Sequence, residues 1–192
     1  MDVFSSSGIC FRRSVNPGAL ARWKAGFMAR SGDYLYVLTD NEVRPARERK
    51  DLKRNSTIQL IRIDPETGRE VPFPDGNSKH ALTEWNIQKL GVAKKWFGWC
   101  VEHDAFDADW PCRNAMGLAA HDGRLYASLH FEDRLLQIDP ERGKVTGEIA
   151  LEAPAGLVSD GRHLLAVSGK TVVQVDPRTG ETKPLITARL KA

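Results

Sequence analysis

Apolar and polar residues alternate along this chain in short bursts, and the bursts recur. Leu136 and Ile138 flank the polar Gln137, just as Ile61 and Ile63 flank Arg62 and Val173 and Val175 flank Gln174. A period of two marks a β-strand. Leu60, Leu135 and Val172 add an apolar side chain on the opposite face of each, so the pattern predicts strands covered on both sides, as in stacked sheets.

Each of these strands runs into the same turn. Asp64-Pro65-Glu66-Thr67-Gly68, Asp139-Pro140-Glu141-Arg142-Gly143 and Asp176-Pro177-Arg178-Thr179-Gly180 align without a gap. Proline presets the first central position, and glycine takes the left-handed conformation that closes a short hairpin with a bulge. A second tight turn stands upstream in every copy, at Ser31-Gly32-Asp33, at His121-Asp122-Gly123-Arg124 and at Ser159-Asp160-Gly161-Arg162. Before it lies a short strand of small residues, at 26–29, 117–120 and 156–158, and after the Asp-Pro turn a fourth strand, clearest at 144–151 and 182–187. Four antiparallel strands per copy make a propeller blade, so the predicted fold class is all-β, with three recognisable blades and a long irregular insertion between the first and second.

The copies resemble the repeats of the β-propeller superfamily, and within it the YVTN, NHL and quinoprotein-like types. Gly117-Leu118-Ala119-Ala120-His121-Asp122-Gly123-Arg124-Leu125-Tyr126, followed by Ile138-Asp139-Pro140, fits their repeat unit closely. The resemblance covers residues 20–72 and 115–190 and implies a fold rather than a function, because propellers host lyases, lactonases, dehydrogenases and binding modules alike. Propellers close with about 4 to 8 blades, and an open arc of three would leave apolar sheet faces in water. A homo-oligomer, two copies making six blades, or a partner segment that completes the ring is therefore expected.

The organisation along the chain follows. Residues 1–19 form an extension; 20–72 form a first blade carrying a basic loop at 40–56; 73–114 form a Trp- and Asp-rich insertion; 115–151 and 152–192 form the second and third blades. Asp75-Gly76 leads into polar Asn77-Ser78-Lys79 rather than an apolar strand, so 73–114 reads as other structure and not as a hidden blade. Because neighbouring strands are antiparallel, both kinds of tight turn fall at one end of a blade, and both insertions fall at the other. Insertions gathered on one end of a regular scaffold are where binding residues concentrate.

Composition narrows the classes. The 192 residues are 41% apolar and 28% charged, a globular balance. A net charge of +3 from 28 basic and 25 acidic residues lacks the one-sided surplus of a nucleic-acid binder, and no apolar run reaches the roughly 20 residues of a membrane helix. No nucleic acid and no membrane span are therefore expected. The N-terminal residues show no signal-peptide core, which reads as cytoplasmic by default, or as periplasmic or extracellular if the chain is a fragment of an exported protein. Cys10, Cys100 and Cys112 allow at most one internal disulfide; Cys100 and Cys112 would pair in an oxidising compartment and stay thiols in the cytosol.

The candidate chemistry lies in the insertions. The basic loop holds Arg44, Arg47, Arg49, Lys50, Lys53 and Arg54 against Glu42, Glu48 and Asp51, a cluster suited to an anion or to a solvated face of local ion pairs. The second insertion gathers Trp96, Phe97 and Trp99, then His103, Asp104, Asp107, Asp109 and Trp110, and Trp85 belongs to the same segment. Aromatics beside acids suit a platform for a small molecule or glycan, rings stacking on apolar faces and carboxylates taking hydroxyls. The same residues also suit a satellite core with acids in water. Asp104, Asp107 and Asp109 carry hard oxygens of the kind calcium or another divalent ion takes, without the spacing of an EF-hand; no other cofactor is expected.

Arg113-Asn114-Ala115-Met116-Gly117-Leu118-Ala119 resembles the blade start of lactonase-type propellers, which implies Asn114 as a ligand of a divalent ion. Those enzymes also use an Asp after the following strand, where this chain has Ser128-Leu129-His130. No tryptophan ends a blade as in quinoproteins, and no Gly-x-Ser-x-Gly, phosphate loop or HExxH occurs. The leading expectation is a ligand- or protein-binding propeller module using Trp96, Trp99, Trp110, His103, Arg47 and Arg49 on the insertion-bearing end. The alternative is a metal-dependent hydrolase or lactonase of the gluconolactonase-like type, with Asp104, Asp107, Asp109 and Asn114 at the ion.

Overall fold

The computed structural model describes residues 25–40, 56–85 and 114–187. Within them the chain forms three antiparallel sheets of four strands each, with almost no helix. The first sheet comprises β1 (Ala25–Ser31), β2 (Tyr34–Asp40), β3 (Ser56–Ile63) and β4 (Lys79–Trp85). The second comprises β5 (Ala115–His121), β6 (Arg124–Leu129), β7 (Arg134–Asp139) and β8 (Lys144–Ala150). The third comprises β9 (Pro154–Ser159), β10 (Leu164–Ser168), β11 (Thr171–Val175) and β12 (Thr182–Thr187). Spatial order follows chain order in every sheet, and the first strands β1, β5 and β9 pack side by side. Sheets that meet along their first strands and radiate outward are propeller blades.

The Asp-Pro turns share one hydrogen-bond pattern because one carboxylate organises each. Asp64 Oδ1 accepts the amides of Glu66 and Thr67, Asp139 Oδ1 those of Glu141 and Arg142, and Asp176 Oδ1 those of Arg178 and Thr179. The closing glycine amide then donates to the carbonyl of the same aspartate, at 2.9 Å for Gly68 and 2.8 Å for Gly143 and Gly180. An Asx-type turn holds Pro and Gly where the hairpin needs them.

Blades one and two share a core in which Tyr36, Leu38, Ile58 and Leu60 meet Leu118, Leu125, Leu136 and Ile138. Blades two and three share another, in which Tyr126, Leu135 and Ile149 meet Leu164, Ala166, Val173 and Val175. The Leu135 face thus looks toward the following blade and the Leu136 face toward the preceding one. Close approach of the inner strands requires Gly117, since a Cβ there would stand 2.8 Å from the Ala155 carbonyl oxygen. Ser128 Oγ donates to that same carbonyl at 2.6 Å, tying β6 to β9.

Two expectations change. Lys79–Trp85, inside the segment read as an insertion of other structure, is the fourth strand of the first sheet, pairing Ser56 with Trp85 and Ile61 with Lys79. Its polar surface hid it, because β4 is an outer strand whose side chains alternate between water and blade. The Asp75-Gly76 turn leads into it: Asp75 Oδ1 accepts Asn77 N at 3.1 Å and lies 3.2 Å from His80 Nε2, and Phe73 is buried against the second blade. The third blade, moreover, is covered on one face only, with Val158 and Ile186 50% and 66% exposed. Among the described residues no helix is long and apolar enough to cross a membrane.

Candidate functional site

Strand register roots both long segments at one end of the arc. Segment 41–55 leaves from the end of β2 and returns at the start of β3, where Asp40 pairs with Ile58; segment 86–113 leaves after Trp85 and returns just before Asn114. Trp96, Trp99, Trp110, His103, Arg47, Arg49, Asp104, Asp107, Asp109, Cys100 and Cys112 lie outside the described residues. Of the candidate residues, the structure places Asn114, and beside it Trp85.

Asn114 is fully buried at the entrance to β5. Its Oδ1 accepts the amide of Phe131 at 2.9 Å, its carbonyl accepts the amide of His130 at 2.8 Å, and its Nδ2 donates to Glu132 Oε1 at 2.6 Å. The side chain therefore clamps the short 3-10 turn His130–Glu132 that links β6 to β7. Glu132 in turn meets Arg134, whose Nη1 donates to Glu148 Oε1 at 2.5 Å. Burial works against the charge on Arg134, but its bonds to Glu148 and Glu132 outweigh this and raise its pKa. Trp85 is 3% exposed, with its ring centroid 6.2 Å from that of Phe131, so this tryptophan is core. Asn114, Glu132 and Arg134 thus form a polar bracket beneath the roots of the insertions, and Arg134 reaches from it to Glu148 in the middle of β8. Among the described residues no group of three His, Cys, Asp or Glu side chains is placed to hold a metal ion.

The opposite end carries a feature that the sequence reading did not anticipate. Where blades two and three diverge toward their tight turns they leave a groove of about 770 Å³, lined mainly by polar side chains. Its walls are Asp122, Arg124 and Glu148 on one blade and Arg162, His163 and Arg178 on the other. Gln137 Nε2 crosses its floor to donate to the Pro177 carbonyl at 2.8 Å, and Gly147 leaves room for that amide. His121 Nδ1 lies 2.9 Å from Ser159 Oγ at one side. Asp160, beneath the third-blade wall, is held down to about 2 by His163 and by the amides of Arg162 and His163. A signal for this groove was present in the arginines that follow Asp122-Gly123, Asp160-Gly161 and Asp176-Pro177, but only blade packing brings them together.

No family model matches the chain, and no curated protein matches it in sequence. Among solved structures it is similar to apo AztD from Citrobacter koseri, at 12% identity and TM-score 0.39, with 83% of this chain and 45% of that one covered. It is similar to a europium-containing methanol dehydrogenase at 12% identity and TM-score 0.39, covering 89% of this chain and 28% of that one. It is also similar to a streptogramin B lyase at 12% identity and TM-score 0.37, covering 86% and 69%. The chain thus spans less than half the length of the first two. These proteins differ in activity, so the likeness attaches no reaction to this chain.

Proposed function

We propose that this chain is a ligand- or protein-binding propeller module of the YVTN, NHL and quinoprotein-like repeat type, working through the end that bears the insertions. The observation that carries the reading is the asymmetry of the two ends. Connections of two to six residues close one end of the second and third blades, and residues 64–78, built on the Asp64 and Asp75 turns, close it in the first, while segments 41–55 and 86–113 leave from the other end, over a polar bracket built on Asn114. A rigid base under long, chemically rich segments suits recognition. The aromatic residues Trp96, Trp99 and Trp110 supply contact surface for a small molecule or glycan, with His103, Arg47 and Arg49 as polar partners.

In the same reading the arc is completed by further blades, from a second copy or from a partner segment. The exposed apolar face of the third blade, with Val158 and Ile186 at its surface, supports this. The recognition test is a glycan array probed with the chain and with its W96A/W99A variant. Loss of bound glycans with an unchanged thermal melt is the expected result; collapse of the melt would assign both rings to a core and overturn the reading.

A further inference from the structure

We infer that the groove between the second and third blades binds a small oxyanion with several charges, carried on phosphate or carboxylate groups, through Arg124, Arg162 and Arg178. Donors and acceptors are out of balance in the groove. Formal charges on the walls cancel, three arginines against Asp122, Glu148 and Asp176, but two of the three acids are already engaged. Asp176 Oδ1 accepts two amides of its own turn, at 2.8 and 3.4 Å, and Glu148 Oε1 accepts from Arg134.

The arginines are not engaged to the same degree. A guanidinium carries five N–H donors. Arg124 uses one on Thr146 Oγ1 at 3.0 Å, Arg178 has a single loose contact with Asp122 at 3.9 Å, and Arg162 meets no side-chain acceptor among the described residues. Spare donors on two facing blades call for a ligand made of acceptors, and the planar fork of arginine matches phosphate and carboxylate oxygens. The volume is within the range of small-molecule sites, and the polar lining disfavours an apolar guest. Asp122 is the one acid whose carboxylate faces the arginines without another partner, and it would repel the ligand. This site is separate from the insertion-bearing end.

The test is calorimetric titration of the full chain, at low ionic strength, with inorganic pyrophosphate and separately with citrate. Either probe should bind, and the preference between them separates phosphate from carboxylate chemistry. R162A/R178A should weaken binding by at least about tenfold, the usual worth of a charge-assisted hydrogen bond. D122N, which tolerates the left-handed backbone at φ 48°, should tighten it. R30A/R69A removes the same net charge from exposed sites on the first blade and should change little. No heat with either probe, equal weakening in R162A/R178A and R30A/R69A, or weaker binding by D122N would overturn the assignment. W96A/W99A should leave pyrophosphate and citrate binding intact, so this site and the insertion end are tested independently.

Discussion

The second and third blades repeat one pattern of strands and turns and differ sharply in burial. Ile149 and Ile186 occupy the same repeat position, each paired across its sheet with the matching residue of the third strand, Leu135 in one case and Val172 in the other. Ile149 is 4% exposed and Ile186 66%. Leu135 is fully buried, whereas Val172 is only half-buried. The repeat chooses the residue type, and the neighbouring blade decides whether that residue is core. The second blade has neighbours on both sides; the third has one on the side of Val173, and its other face presents the same apolar pattern to water.

The largest test of this contrast is truncation at equivalent positions. Leu135→Ala should cost about 2–5 kcal/mol in urea unfolding, while Val172→Ala in the isolated chain should cost under about 1 kcal/mol. Equal losses would mean that the third blade is covered in solution. Mass by light scattering sharpens the point: a species of twice 21.4 kDa that Ile186→Asp returns to monomer would place a second copy on that face.

The turns offer a contrast of middling size. Gly143 and Gly180 both take positive φ, 63° and 76°, yet a Cβ at Gly143 would stand 2.6 Å from the Phe73 ring while one at Gly180 would meet Ile149 at an ordinary 3.6 Å. Gly180→Ala should therefore cost only the left-handed strain, about 1–2 kcal/mol, and Gly143→Ala visibly more, read as the midpoint of thermal unfolding.

The smallest effect is acid dependence. Asp160 sits at about 2, below its ordinary 3.8, so the folded state binds fewer protons here than the unfolded one. Its stabilising contribution is complete above about 4 and is lost as pH falls toward 2. Asp64 and Asp75 are shifted in the same direction, each chiefly by a backbone amide in its own turn. Asp160→Asn should flatten part of the fall in melting temperature over that window; an unchanged slope would remove Asp160 from the account.

Much of the fold was legible because its signals are local. A period of two, an Asp-Pro turn with glycine four residues on, and three concordant copies need no knowledge of distant residues. β4 escaped because an outer strand keeps half its side chains in water, so Lys79, Ala81 and Glu84 do not read as a strand face. The candidate site was legible less far. The blade-start motif points to Asn114 as an ion ligand, and the structure places it as a buried clamp on the turn at His130–Glu132. The remaining candidates lie outside the described residues.

What the sequence by itself determined is the blade: its strands, its turns, and the alternation that makes both faces apolar. Side-chain period and turn chemistry act over a few residues, so they are written where they act. Only the tertiary structure decided which of those faces is core, that Trp85 belongs to the first sheet, and that arginines from separate turns stand across one groove. Those outcomes depend on which blade lies beside which, and the pairing of surfaces far apart in the chain is not encoded in any short stretch of it.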